Sequence, residues 1–521
     1  MKKLTLLVAG ICCFLLNGTA QLTYKDVAPV FYANCTTCHN PNGIGPMPLM
    51  NYSQTFAYTK LISSYVTAGL MPPWIPDTTY HRFVGERILN ATEKSTILNW
   101  IAAGAPAGDT TLAPVPPIYN SSYKLAGKPD LIVKIPTFTS NATTADAYNC
   151  FVVATGLPAD RIVRGIEVVP GNPAIVHHIL LSEDTSGTAT SDLSGSCFTM
   201  PGSNLYFGAW TPGAAPTVYP GKAPLKMGVR LKAGCNIVLE IHYPIGTAGK
   251  VDSTQVRFYF YPPGTTGVRE VLDKTFLQNW NLFIPANTVQ KFTASSAISS
   301  PISLVSTFPH NHKVGVSITN YAYSGIDTIK LIREKNWDFR WQGAYTYPNL
   351  VKIPAGYSLY STHTYDNTTN NPNNPNSPPA LVIAGTSTSN EMLFDGFQYL
   401  TYQPGDENIN IAALLAGDTL LAVNNLSANK IVTSVFPNPF DQHVHIGYTL
   451  NNPGTVSILI YNIQGKVVRN LLQNQRIVPG YYETIWDGKS NGGMTLTSGV
   501  YFYSITSGKQ TSSGKILMMK E

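Results

Sequence analysis

IVHHILL, residues 175–181, is an apolar run that carries two adjacent histidines, His177 and His178. Its length and apolar content are typical of a strand buried in a sheet. Successive side chains of a regular strand point to opposite faces. Both histidines can therefore bind one ion only if a bulge or a sheet edge turns one of them. The segment predicts a β architecture with histidines at an irregular point of a strand.

Similar strand-like runs, separated by Pro and Gly, extend on both sides of this segment. They cover residues 131–135, 161–169, 236–243 and 314–318. Short runs at this density favour antiparallel strands in packed sheets. We therefore expect a mainly β, multidomain chain, with two β lobes at residues 123–270 and 271–403.

Three more histidines and a methionine follow in the same region. His242 lies in LEIHYP, His310 and His312 lie in FPHNHK, and Met392 ends SNEM. Residues i and i+2 of a strand share a face, so His310 and His312 can bind one ion together. Imidazoles suit copper and zinc alike, whereas the soft thioether of Met392 favours Cu(I).

The order of these motifs, His-His, His-Tyr, His-x-His and Glu-Met, resembles the copper type II, ascorbate-dependent monooxygenases. That family includes peptidylglycine α-hydroxylating monooxygenase and dopamine β-monooxygenase. The resemblance implies two jelly-roll-like β-sandwich lobes, two copper ions and hydroxylation of an activated C–H bond by O₂. His177, His178 and His242 would hold an electron-transfer copper, and the catalytic residues His310, His312 and Met392 would hold the copper at which O₂ reacts.

The sequence departs from the family where the peptide-amidating enzyme binds its substrate carboxylate. Phe308, Phe394 and Gly396 stand in place of the family's Arg, Asn and Tyr. A buried carboxylate without a partner is costly, so we expect a different and more apolar small-molecule substrate. His363 stands where the family has a cysteine. It could approach the second copper, line a substrate pocket with Phe308 and Phe394, or have a hydrogen-bonding role.

An N-terminal motif predicts a haem. CTTCH, residues 35–39, places Cys35 and Cys38 to bind the two vinyl groups of one haem c, with His39 as the proximal iron ligand. Residues 21–105 resemble a small α-helical cytochrome c domain, with a helix expected at 92–103 and Thr92 as its N-cap. The candidates for the distal ligand are Met47, Met50, Met71 and His81, and MPPW favours Met71.

The two ends of the chain carry transport signals. Residues 1–20 read as a secretory signal peptide. Residues 430–521 resemble the type A sorting domain of the type IX secretion system, which implies a small β-sandwich and the secretion machinery as a partner. We expect linkers at 106–122 and 404–429. The resemblance implies export through Sec and passage through the outer membrane to the cell surface or the exterior.

The composition of the chain argues against nucleic-acid binding and against a membrane-spanning segment. The 521 residues include 12% charged residues and a net charge of +6, without a Lys/Arg cluster, so nucleic acid is not expected as a partner. No apolar run reaches the length of a membrane span. Cys150, Cys197 and Cys235 are an odd number outside the haem motif, so they can form at most one disulfide, whose pairing stays open.

The sequence therefore predicts an exported haem- and copper-dependent monooxygenase. Its electrons would come from the fused haem c or from an external donor, either ascorbate-like or a redox protein. Two alternatives remain open. One is a non-catalytic surface protein that binds copper or carries electrons. The other is a zinc hydrolase that uses His177, His178 and His242 and keeps an open metal position.

Overall fold

A computed structural model describes most of the chain. The described residues are 21–117 without 42 and 44, 125–197, 205–421 without 213, and 431–520 without 451–453, 478, 479 and 509. The expected signal peptide and parts of both expected linkers lie outside them. The chain divides into two compact units. The first holds residues 1–73 and 87–117, and the second holds residues 74–86 and 118–521.

The first unit is helical. Its helices are α1 (Tyr24–Asn34), α2 (Tyr52–Ala57), α3 (Thr59–Thr67) and α4 (Ala91–Ala102), followed by a 3₁₀ turn at Thr110–Leu112. Asn90 is the N-cap of α4 and forms a capping box with Glu93. The helix thus begins one residue before the expected start, and Thr92 is not its cap. Phe31, Ile97 and Trp100 are fully buried and form the centre of this small core.

The first β lobe consists of two sheets around one core. Its strands are β1 (Leu131–Lys134), β2 (Phe138–Thr139), β3 (Ala147–Ala154), β4 (Arg161–Val169), β5 (His178–Asp184), β6 (Asp192–Gly195), β7 (Leu205–Trp210), β8 (Thr217–Val218), β9 (Gly221–Lys222), β10 (Leu225–Leu231), β11 (Asn236–Tyr243), β12 (Val251–Asp252), β13 (Gln255–Phe260) and β14 (Val268–Glu270). One sheet has the order β1-β13-β4-β10-β14, and the other has β6-β3-β11-β5-β7. Inward-facing apolar residues of β4, β10, β11 and β13 share the core between them.

The second β lobe repeats this arrangement. Its strands are β15 (Leu272–Gln278), β16 (Phe283–Ile284), β17 (Thr288–Ala297), β18 (Ile302–His310), β19 (Gly315–Tyr323), β20 (Thr328–Glu334), β21 (Tyr345–Ile353), β22 (Ser358–Asn367), β23 (Val382–Ile383) and β24 (Phe394–Thr401). The larger sheets have the orders β15-β24-β18-β21 and β17-β22-β19-β20. Their strand pairs are antiparallel, as expected.

The C-terminal region forms a smaller β module. Its strands are β25 (Val432–Phe436), β26 (Val444–Leu450), β27 (Gly454–Tyr461), β28 (Val467–Ile477), β29 (Gly480–Trp486), β30 (Gly499–Ser507) and β31 (Gln510–Met518). They form sheets with the orders β25-β26-β29 and β28-β27-β30-β31. Trp486, Ile458 and Ile505 are fully buried in a core of its own.

One segment that we expected in the haem domain belongs to the second unit. Residues 74–86 pack against the second β lobe. The Asp77 carboxylate accepts hydrogen bonds of 2.6 and 2.9 Å from Arg333, and the Val84 amide donates to the Thr346 carbonyl at 2.8 Å. The composition of 21–105 could not reveal this, because the partners lie more than two hundred residues away.

Both expected linkers are partly structured. Residues 106–117 belong to the first unit. In the second linker, a 3₁₀ turn at Asp406–Asn408 precedes helix α5 (Ile411–Ala416), and Ile411 is fully buried in the core of the first β lobe. Asp406 accepts two hydrogen bonds from Arg269, at 2.6 and 2.8 Å. The segment is therefore part of the folded core up to about residue 421.

Two of the three cysteines outside the haem motif form a disulfide. Cys150 and Cys197 form a disulfide, and Cys235 is free and buried. This settles the pairing that the sequence left open. Among the described residues, no helix is both long and apolar enough to cross a membrane.

Candidate metal centres

The first histidine cluster forms at the start of β5. His178 is the first residue of this strand and pairs in register with His242 on β11. His177 precedes the strand, and its amide donates to the His242 carbonyl at 3.0 Å. Because His177 lies outside the regular strand, its ring is not forced to the opposite face of the sheet. The strand end therefore provides the irregularity that the adjacent histidines required.

The three rings meet at their Nδ1 atoms. His178 Nδ1 lies 3.1 Å from that of His177 and 3.3 Å from that of His242. Ligand nitrogens about 2.0 Å from a tetrahedral metal are separated by about 3.3 Å, which agrees with both distances. One nitrogen of each ring lies within 4.8 Å of those of the other two. The three histidines therefore fit one metal ion, bound through Nδ1.

The environment of this cluster keeps the imidazoles neutral. Burial lowers the pKa of His177 to about 4 and lowers the pKa of His178 well below its usual value. Neutral imidazole is the form that binds a metal. The Tyr148 ring stacks on His242 at a centroid distance of 4.3 Å and fixes the plane of that ring.

Asp146 holds the outer nitrogen of His242. Its Oδ2 lies 3.2 Å from His242 Nε2, and this close contact keeps the pKa of Asp146 well below its usual range. A carboxylate in this position orients a metal-bound histidine and makes it a stronger ligand. Asp146 was not among the sequence candidates, because a single loop aspartate gives no signal before its partner is known.

We expect Asp146→Ala to weaken copper binding at the first cluster by about 10–100-fold, the usual effect of losing such a partner. The measurement is copper retained per chain during titration with a competing chelator. Asp160→Ala is the control, because it removes a more exposed carboxylate from the same lobe. Equal copper affinities of the two variants would contradict the role of Asp146.

The second cluster lies at the end of β18. His310 is the last residue of this strand, and His312 follows in the loop. His310 Nδ1 lies 2.7 Å from Gln342 Oε1, and His312 Nδ1 lies 3.1 Å from the Asn390 carbonyl. These acceptors place the proton on Nδ1 of each ring, so Nε2 carries the lone pair for a metal. Burial lowers the pKa of His310 to about 3 and that of His312 to about 4.

Glu391 connects the segment of His312 to that of Met392. Its buried carboxylate accepts hydrogen bonds from the backbone amides of His312 at 2.9 Å, Val314 at 2.7 Å, Gly315 at 3.1 Å and Met392 at 3.2 Å. Tyr365 also donates its hydroxyl to the Met392 carbonyl at 2.8 Å. The sequence placed Glu391 in the Glu-Met motif without a role. The structure shows that it positions the backbone on both sides of the second cluster.

A phenyl ring lies between the two clusters. Phe339 stacks on His177 at a centroid distance of 6.2 Å and meets His312 edge-on at 6.0 Å. His310 and His312 also contribute to the lowered pKa of His178, after burial and the nearer histidines. The Phe339 ring therefore separates His177 of the first cluster from His312 of the second.

Two of the three candidate substrate-pocket residues pack against the ring of His310. Phe308 stacks on His310 at 6.1 Å, and Phe394 meets it edge-on at 6.5 Å. His363 is fully buried, with Nδ1 on the Asn311 side chain and Nε2 3.0 Å from Asp395 Oδ2. Both nitrogens of His363 are engaged, so the structure favours its hydrogen-bonding role.

The haem motif follows α1 in the first unit. Cys35 and Cys38 form no disulfide, and burial raises the pKa of Cys35 to about 12. His39 Nδ1 lies 2.9 Å from the Met47 carbonyl, which leaves Nε2 as the nitrogen that can bind iron. A Cβ on Gly45 would lie 2.5 Å from this ring, so the chain approaches His39 as closely as glycine allows. Two cysteines outside any disulfide, beside an oriented histidine, fit a covalently bound haem.

The candidates for the distal haem ligand belong to different units of the chain. Met71 follows α3 in the first unit and is partly exposed. Met47 packs against the helical core. His81 belongs to the second unit, where its ring packs on Tyr347 at 4.9 Å.

One family model matches the chain, the secretion system C-terminal sorting domain, over residues 434–519. This confirms the sorting domain expected at 430–521. The chain is thus a type IX secretion substrate, and the sorting domain implies translocation across the outer membrane to the cell surface or the exterior. No curated protein matches the chain.

Three solved structures are among those to which the chain is similar. PorZ, a bacterial surface component of the type IX secretion system of Porphyromonas gingivalis, is 17% identical over 27% of this chain, with a TM-score of 0.13, and the match spans 15% of PorZ. Latent PorU from the same organism is 13% identical over 72% of this chain and 34% of its own, with a TM-score of 0.16. The major capsid protein P2 of bacteriophage PM2 is 9% identical over 53% of this chain and 98% of its own, with a TM-score of 0.23.

Proposed function

We propose that this exported protein is a haem- and copper-dependent monooxygenase that hydroxylates an activated C–H bond of an apolar small molecule with O₂. One observation carries the proposal: two histidine clusters face each other across Phe339, and their rings present opposite nitrogens. The first cluster converges through Nδ1, whereas the second keeps Nε2 for a ligand. Two clusters with different donor geometry suit two ions with different tasks.

We propose ligands for the two ions from the histidine clusters together with the methionine of the Glu-Met motif. His177, His178 and His242 would bind the electron-transfer copper, and His310, His312 and Met392 would bind the copper of the O₂ site. When bound, the two copper ions supply the electrons and the O₂ activation that hydroxylation needs. A zinc ion would not benefit from the thioether of Met392, which is why we prefer copper.

Residues around the second cluster orient its histidines and limit the access of water. Gln342 and Asn390 fix which nitrogen of each second-cluster ring carries the proton. Glu391 keeps the His312 loop and the Met392 segment at a constant separation. Phe308 and Phe394 line the approach to His310 with apolar surface, which limits water and favours an apolar substrate.

The haem completes the proposal. Cys35 and Cys38 would attach it, His39 would be its proximal ligand and Met71 its distal ligand. Ligation by His and Met raises the reduction potential of a haem, so this one would act as a mild reductant. An external donor, either ascorbate-like or a redox protein, would then reduce the haem or the first copper.

The deciding experiment combines metal analysis with isotope labelling. The purified protein should contain one haem and two copper ions per chain, and it should transfer one atom of ¹⁸O₂ to a product identified by mass spectrometry. Zinc without copper, together with hydrolytic activity, would favour the zinc hydrolase. Two bound copper ions without O₂ consumption for any substrate would favour the non-catalytic carrier.

We predict negligible hydroxylation of peptides that end in glycine. Phe308, Phe394 and Gly396 offer no cation or phenol to a carboxylate, so the carboxylate of such a peptide would be desolvated without a partner. The measurement is O₂ consumption with a glycine-extended peptide and with its decarboxylated analogue. Saturable turnover of the carboxylate form, at a rate similar to that of a dedicated enzyme, would contradict the prediction.

A further inference from the structure

A hydrogen-bonded chain of side chains crosses the second β lobe beside the second histidine cluster. It runs from Asn311 through His363 to Asp395, and all three residues are fully buried. Asn311 lies between the two histidines of the cluster, His363 lies on β22 and Asp395 lies on β24. Because β22 and β24 belong to different sheets, the chain joins the two layers of the lobe.

The neighbours of the Asn311 amide decide which end of it is the nitrogen. One end lies 3.0 Å from the Met392 carbonyl oxygen, 3.3 Å from the His310 carbonyl oxygen and next to Nδ1 of His363. Carbonyl oxygens can only accept hydrogen bonds, so this end is the NH₂ group. Its two hydrogens suffice for the two nearest acceptors, the Met392 carbonyl and His363 Nδ1.

This orientation of the amide fixes the tautomer of His363. A ring nitrogen that accepts a hydrogen bond from an amide carries no hydrogen, so Nδ1 holds a lone pair and Nε2 carries the hydrogen. His363 Nε2 lies 3.0 Å from Asp395 Oδ2 and donates to it. Each hydrogen bond of the chain therefore has one donor and one acceptor, and the opposite tautomer would break two of them.

The far end of the chain is held by central strands. β22 and β24 each have a neighbouring strand on both sides. His363 pairs in register with Phe292 and Ile318, and Asp395 pairs with Pro309, the residue before His310. The amide of Asn311, which lies in a loop, is therefore oriented by side chains whose backbone is fixed in two sheets.

Asn311 and Glu391 hold the same two segments through opposite backbone groups. Glu391 accepts from the backbone amides of His312 and Met392, whereas Asn311 donates to the carbonyl of Met392. The space around Asn311 is small, since a Cβ on Gly315 would lie 2.5 Å from the Asn311 Cβ. A change in the orientation of the Asn311 amide would therefore be transmitted to the Met392 backbone.

We propose that His363 is a positioning residue of the second cluster, which orients Asn311 and thereby holds the Met392 backbone against the segment of His310 and His312. Loss of the His363 ring would leave an amide hydrogen and a carboxylate oxygen buried without partners, which is costly in a protein interior. The Asn311 amide would then turn to find another partner. The effect on copper rests on the proposed function, whereas the direction of the hydrogen bonds does not.

The first test measures Cu(I) retained by the full chain during titration with a competing chelator, where the step of the second cluster is the one that Met392→Ala weakens. We expect His363→Leu to weaken this step by at least about 10-fold, the lower end for loss of a residue that orients a ligand, and to leave the first cluster unchanged. His363→Gln offers one acceptor and one donor and should restore most of the affinity. Equal affinities of the wild type and His363→Leu would overturn the proposal.

Two further variants separate positioning from a general loss of stability. If His363 acts by placing Met392, then adding His363→Leu to Met392→Ala should cost less copper affinity than His363→Leu costs alone. Ser361→Ala is the matched control, because Ser361 is fully buried on the same strand and donates to Asn320 at 2.6 Å, outside the chain. Fully additive losses, or an equal loss in Ser361→Ala, would contradict the proposal.

The second test needs neither a metal nor a folded variant. ¹⁵N NMR of the copper-free full chain with labelled histidine shows which ring nitrogen of His363 carries the hydrogen, and the signals are assigned by their absence in His363→Gln. We expect the hydrogen on Nε2, and a hydrogen on Nδ1 would overturn the inference whatever the protein does with copper. The expected tautomer in a protein that binds no copper at the second cluster would remove the proposed function and leave the orientation of Asn311 by His363 standing.

Discussion

Met392→Ala is expected to reduce O₂-dependent hydroxylation by at least about 100-fold, while the first cluster keeps its copper. The loss of a ligand should cost no less than the loss of a residue that orients one, for which 10–100-fold is typical. The backbone at this position is held by Glu391 at 3.2 Å and by Tyr365 at 2.8 Å, and neither contact involves the Met392 side chain. The substitution should therefore remove the thioether and leave the loop in place.

The measurements are turnover under saturating O₂ and copper per chain. Met494→Ala is the matched control, because Met494 is 72% exposed and belongs to the C-terminal module. We expect Met494→Ala to behave as the wild type in both assays. Full turnover of Met392→Ala would show that the methionine is not a ligand and would leave the second cluster with two histidines.

Oxidation of the haem is expected to accompany product formation and to stop in His242→Ala. The proposed hydroxylation consumes two electrons that the substrate does not supply, and the proposed haem would be a one-electron carrier within the same chain. Covalent attachment raises the effective concentration of that donor toward about millimolar, provided that the connection spans the two sites. His242 belongs to the proposed electron-entry site, so its loss should separate the haem from the reaction.

The experiment begins without oxygen. The haem is reduced, the protein is mixed with substrate and O₂, and the haem absorption band is followed beside product formation. In His242→Ala the haem should still be attached, because Cys35, Cys38 and His39 are unchanged, yet it should stay reduced. If ferrous haem also persists in the wild type while added ascorbate drives product formation, the haem serves another partner.

The sequence predicted strands where an apolar run and its boundaries are clear. The runs at 161–169 and 236–243 coincide with β4 and β11. The run at 175–181 was placed too early, since β5 begins at His178. That difference has a physical reason: His177 leaves the strand geometry so that its ring can meet those of His178 and His242.

The histidines of the candidate sites could be found from their spacing, but their partners could not. Asp146, Gln342 and Glu391 come from loops or segments without a recognisable pattern, and each acts through a contact that only the fold creates. Spacing reveals candidate ligands that form a motif in the sequence. The residues that orient those ligands are brought to them only by the tertiary structure.

The segment 74–86 changes how the protein can be divided. The chain leaves the first unit after residue 73, adds Asp77 and Phe83 to the second, and returns at residue 87. A truncation at residue 105 would therefore not release an intact second unit. It would leave Arg333 without the Asp77 carboxylate and open the apolar cluster that Phe83 fills, and the excised N-terminal fragment would carry a stretch that has lost its contacts. The two units are interleaved along the chain, so they must be engineered as one piece.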